Sequence, residues 1–164
     1  MASPGFRMND FDSLRELLTE QLRLLKAAAS VLEESHARVA AFRDDVRSEA
    51  KTPLSVGQRE SCEALTSRFA RLNDLLLQRV FRTLDRMELV DDSSLIDRLE
   101  RAERRGLIDS AEHWRELRLL RNAIAHDYLI EAADRVLTDA LDAAPELLQS
   151  AARIQNYVRI KGYA

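Results

Sequence analysis

Between positions 121 and 128 the chain reads Arg121-Asn122-Ala123-Ile124-Ala125-His126-Asp127-Tyr128, a string that holds the residue types phosphate chemistry needs. A guanidinium stays charged and grips two phosphate oxygens with its planar fork, while an imidazole with an ordinary pKa of about 6.5 exchanges protons near neutrality. In kind, these two groups supply a proton-exchanging side chain and a cation that stabilises charge on a phosphate. Asn122, one turn before His126, is placed to orient the imidazole or to bond to substrate. Tyr128 is placed to touch substrate, and Asp127 either caps the helix end or holds His126.

These residues must be positioned by a helix. At 100° per residue Leu117, Leu120 and Ile124 form an apolar stripe flanked by Trp114 and Ala125, and Arg121 falls among them. A guanidinium beside a packed face must snorkel to water, pair with an acid, or lie at a protein interface. His126 is about 140° around the helix from Arg121, whereas Arg118, Asn122 and His126 share a stripe at i, i+4 and i+8. Three arrangements bring Arg121 and His126 together: fraying of the helix at Asp127, an arginine side chain long enough to span the gap, or two copies of the chain joined at this helix. The third also accounts for an arginine on the packed face. Read singly, Arg121 is an ion-paired or snorkelling residue and His126 a surface or capping histidine near a helix C-terminus.

The rest of the chain supplies the scaffold. Charged residues make up 32% and aromatic residues 5% of the sequence, a profile of amphipathic helices with almost no sheet. Four glycines and three prolines punctuate it. From Asn9 to Arg47 the residues Phe11, Leu14, Leu18, Leu22, Leu25, Ala29 and Leu32 recur at steps of three and four, which predicts one long helix. Such a helix spans roughly 55–60 Å, more than a compact domain's width, so its far end is expected to bend or project. Ser55 and Gln58 have capping-box spacing and open a second long helix through Leu84 to Met87, antiparallel to the first. A short helix follows the N-cap candidates Asp91 to Ser94 and stops at Gly106. Asp109 and Glu112 predict the start of the motif helix. The segment Glu131 to Lys161 is read as helical with a joint at Pro145. The expected fold is a single all-α domain over residues 1–164, an up-and-down helical bundle. Residues 1–8 are expected to be flexible, 9–90 to form a long N-terminal hairpin, and 93–160 to carry the motif-bearing helices.

Charge limits the partners. With 25 basic and 28 acidic residues the net charge is −3, so no general positive field draws in nucleic acid and any RNA contact must be local. The segment from Arg98 to Asn122 holds seven arginines and five acids, the relatively basic part of the chain. Its signs intersperse as on any salt-bridged helix surface. Cys62 is alone, in keeping with a reducing compartment, and is read as buried and inert. No leader pattern or membrane span is read, so a cytoplasmic protein is expected. His36, His113 and His126 are far apart in sequence, and no metal site or cofactor is expected.

The string Arg-Asn-x-x-x-His-x-Tyr, carried by Arg121, Asn122, His126 and Tyr128, resembles the signature of the HEPN superfamily, most closely its HepT branch. The resemblance covers roughly Ser93 to Tyr157; the N-terminal hairpin is similar only in being helical, and its helices are longer than the minimal pattern. It implies a four- or five-helix bundle that dimerises so that two motif copies face one cleft, with Arg121 and His126 catalytic. Asn122, Tyr128 and Arg118 would then orient or bind substrate. The implied activity is that of a metal-independent endoribonuclease toxin. Its implied partner is a nucleotidyltransferase antitoxin that attaches AMP to Tyr128, adding charge and bulk that block phosphate binding. The alternative is a non-catalytic module of the same fold that binds a nucleotidyltransferase or a nucleotide.

Overall fold

The computed structural model describes residues 8–48, 53–90, 94–126 and 130–164. Residues 1–7, 49–52, 91–93 and 127–129 lie outside the described residues, and with them Asp127, Tyr128 and the first three N-cap candidates. Every described element is helical: α1 (Met8–Ala40), α2 (Arg43–Arg47), α3 (Val56–Asp74), a π-helical turn (Leu75–Val80) running directly into α4 (Phe81–Met87), α5 (Leu95–Arg104), α6 (Ala111–Ala125) and α7 (Ile130–Lys161). The all-α expectation holds, with no strand among the described residues. Nor is any described helix long and apolar enough to cross a membrane.

On α1 the buried positions are Leu14, Leu18, Gln21, Leu25, Leu32, Ser35 and Val39, a seam built on alternating steps of four and three. That seam lies along α3 and α4, as expected of an antiparallel hairpin: Arg68 donates to the Val31 carbonyl at 2.9 Å and to Ser35 Oγ at 2.6 Å, while Leu17 and Gln21 sit near Arg82 and Thr83. The first helix ends at Ala40 rather than Arg47. Phe42 leaves helical geometry at φ −126, ψ 34, and the five-residue α2 continues after this bend.

Ser55 caps α3 as its spacing predicts. Its hydroxyl accepts from the Gln58 N–H at 3.2 Å, and Gln58 Oε1 accepts from the Ser55 N–H at 2.8 Å. Along α3 the buried residues Cys62, Leu65, Phe69, Leu72 and Leu76 keep the three-four rhythm. Continued by three, that rhythm would turn Arg79 toward the core. The π turn inserts one residue, and Val80, Leu84 and Met87 take the inward positions while Arg79 stays exposed. Arg98, buried on α5, donates to the Leu77 carbonyl of this wide turn at 3.2 Å.

Gly106 closes α5 in a left-handed conformation, φ 71, with the Leu107 N–H returning to the Ala102 carbonyl and the Gly106 N–H to that of Glu103. Two boundaries differ from the sequence reading. Ser110, not Asp109, caps α6 by accepting from the His113 N–H at 3.2 Å; Asp109 instead pairs with Arg153 at 2.6 Å. And Pro145 lies inside an unbroken α7 rather than at a joint. A proline there removes the N–H that would bond the Leu141 carbonyl four residues back. His36 Nε2 of α1 faces that oxygen at 3.1 Å, so an interhelical donor replaces the missing one.

One core runs through the bundle, with Trp114 of α6 fully buried against Phe81 of α4, ring centroids 5.9 Å apart. Beside it, Asp85 accepts from Arg101 at 2.6 Å and Arg105 at 2.7 Å, Arg105 also reaches Glu88, and the Tyr157 hydroxyl donates to Glu88 at 2.5 Å. Three arginines of the relatively basic stretch, Arg98, Arg101 and Arg105, therefore serve the fold rather than a surface patch.

Candidate functional site

Helix α6 leaves the core as it proceeds. Ala111, Trp114 and Leu117 are buried, Leu120, Arg121 and Ile124 are half-buried, and Ala125 is exposed. Trp114 is therefore the centre of the buried face rather than its flank, and Arg121 stands at the edge of the packed region. Its guanidinium is paired: Nη2 donates to Asp74 Oδ2 at 2.5 Å, with the two side chains 31% and 40% exposed. Asp74 holds it through that one nitrogen, and Nε is buried without a hydrogen-bond partner. The hydrogen bond and charge of Asp74 raise the guanidinium pKa further against a desolvation that lowers it, so Arg121 is a permanent cation.

Arg121 and Asn122 open onto a groove of about 650 Å³ between α6, the α3–π-turn segment and the middle of α1. Arg118, one turn earlier, lines it too, as do Arg71, Asp74, Gln78 and Arg79; Leu24, Ala28 and Leu75 form its apolar wall. Four guanidinium groups face one carboxylate. In a chain of net charge −3 this is a local concentration of positive charge, and planar forks are the side chains best matched to phosphate.

His126 does not line the groove. It is the C-cap of α6 at φ −105, ψ 13, its N–H shared between the Asn122 and Ala123 carbonyls at 3.1 and 3.2 Å. Departure from helical geometry takes it off the stripe that Arg118 and Asn122 keep, and its side chain is exposed. Within one chain the structure thus brings together Arg118, Arg121 and Asn122 and leaves His126 outside them. Tyr128, the expected modification site, lies outside the described residues.

Arg71, Asp74, Gln78 and Arg79 were not singled out in the sequence. The signal was there: Leu72, Leu76, Val80 and Leu84 advance by three successive steps of four, which drifts about 40° per step and marks a change in the buried face of a straight helix.

His113, exposed at the start of α6, contacts Glu116 at 3.1 Å and Glu146 at 2.9 Å. No group of three or more histidine, cysteine or acidic side chains suited to hold a metal ion occurs among the described residues. Cys62 is buried, and burial pushes its thiol above the ordinary value, as befits an inert packing residue.

Compared with models of known families, with characterised proteins and with solved structures, the chain matches none.

Proposed function

We propose that this protein is a HepT-like toxin, a metal-independent endoribonuclease that cleaves RNA through the 2′-hydroxyl. The observation that carries the reading is the placement of Arg121 and Asn122, the first half of the motif, in a groove whose other cations are Arg71, Arg79 and Arg118. Arg121 holds the scissile phosphate and stabilises its developing charge, Asn122 and Arg118 orient the strand, and His126 moves the protons. Because His126 stands outside the groove of its own chain, the active form in this reading is a homodimer in which the partner's α6 end reaches the groove. Leu119, 67% exposed on the same helix, supplies an apolar anchor for such a twofold contact. A nucleotidyltransferase antitoxin neutralises the cytoplasmic enzyme by attaching AMP to Tyr128.

The second reading is a non-catalytic module that binds a nucleotide or a nucleotidyltransferase in the same groove. What favours it is the Arg121–Asp74 pair, which occupies the motif arginine at 2.5 Å. Single-stranded RNA incubated in excess chelator with wild type, Arg121→Ala and His126→Ala separates the two. The nuclease reading expects cleavage by wild type alone; equal behaviour of all three defeats it.

A further inference from the structure

Among the described residues, three of the groove's four arginines are held by no acid. Arg71 and Arg79 on the α3–π-turn segment and Arg118 on α6 make no ion pair among the described residues, whereas Arg121 is held by Asp74. Arg101, Arg105, Arg115 and Arg153 are ion-paired elsewhere; what distinguishes Arg71, Arg79 and Arg118 is that they line one concavity together. The π turn sharpens the point. By inserting a residue after Leu76 it brings Val80 inward and leaves Arg79 exposed beside the groove rather than facing the core.

We propose that Arg71, Arg79 and Arg118 form a phosphate track for the backbone of single-stranded nucleic acid, and that Asp74 is an internal competitor occupying Arg121 until a phosphate displaces it. The proposal rests on the nuclease reading only in taking Arg121 as the group that receives the scissile phosphate; the track stands without it. Geometry favours exchange: Asp74 is 40% exposed and contacts a single nitrogen of the guanidinium, so an incoming phosphate offers Arg121 a two-point contact in place of a one-point contact. No aromatic side chain lines the groove among the described residues, which removes base stacking as the main source of affinity and makes binding tolerant of sequence. The volume, about 650 Å³, is that of a ligand site rather than of a duplex-wide surface.

The test is fluorescence-anisotropy titration of the full chain with a short 2′-O-methyl oligouridine, which binds but cannot be cut, run beside cleavage of the unmodified strand. Arg71→Ala and Arg79→Ala are expected to weaken binding roughly fivefold to tenfold each and to flatten the dependence of log K on log salt by about 0.7 per arginine. Asp74→Asn is expected to tighten it roughly threefold to fivefold, the scale of a half-exposed ion pair. Arg159→Ala, which removes a cation from the far end of α7, should leave binding unchanged, and thermal unfolding verifies that every variant is folded. Wild-type affinity in Arg71→Ala and Arg79→Ala, no gain in Asp74→Asn, or equal competition by an acidic peptide overturns the proposal. Cleavage with an unaltered binding pattern removes the track and keeps the nuclease; arginine-dependent binding without cleavage does the reverse.

Discussion

Asp74 and Arg121, 47 positions apart, meet at 2.5 Å where α3 gives way to the π turn and α6 leaves the core. The contact resolves the puzzle of an arginine on an apolar stripe: the stripe is buried only in its first half, and at its edge the guanidinium finds both an acid and water. With both side chains about a third exposed or more, the pair sits in a regime where ion pairs are worth ~1 kcal/mol or less. Asp74→Asn should therefore change unfolding free energy by less than about 1 kcal/mol in urea denaturation. A loss of several kcal/mol would show a structural clamp that no ligand could replace.

His36 answers for Pro145. Its donation to the Leu141 carbonyl predicts that His36→Ala costs about 1 kcal/mol, the ordinary net worth of a protein hydrogen bond. In a Pro145→Ala background the new Ala N–H can take the same oxygen, so the same substitution should cost less than half as much. Equal costs in the two backgrounds, measured by urea unfolding, would dissociate the histidine from the proline.

Much of the scaffold was legible because its signals are local. The Ser55–Gln58 box, the Gly106 stop and the long apolar stripe of α1 depend on neighbours within a turn or two, and all three appear where the spacing puts them. Where a distant group intervened, local rules failed. Asp109 is a good N-cap by type, but Arg153 claims its carboxylate and Ser110 takes the cap. Pro145 reads as a helix start until His36 is known to face Leu141. The site divides in the same way: spacing alone puts Arg118 and Asn122 on one stripe, but it puts His126 there as well and Arg121 on the apolar face. The structure exchanges those two at the groove, where Arg121 stands with Arg118 and Asn122. Arg71, Asp74 and Arg79 join them only through the packing of α3 against α6 and a register shift spread over several turns.

Tyr157 gives the fold a defined alkaline limit. Burial first, then the hydrogen bond and charge of Glu88, raise its pKa well above the ordinary 10.0. A group whose pKa is raised on folding contributes stability that is complete below its unfolded value and is lost as pH climbs through the folded one. Relative to Tyr157→Phe, wild type should thus hold a constant stability advantage up to about pH 9 and lose it progressively above about pH 10. Chemical unfolding of both proteins across that range checks it; parallel curves would mean that Tyr157 is not held buried against Glu88 in solution.

Whether Arg121 of one copy works with His126 of another is decided by mixing two inactive proteins. If the site is shared as proposed, Arg121→Ala and His126→Ala chains unfolded together and refolded give mixed dimers in which one of two sites regains both groups. The mixture should recover up to about a quarter of wild-type RNA cleavage, half of the dimers being mixed and each having one working site. A mixture as inactive as its components, under conditions where labelled chains are seen to exchange, would contradict it.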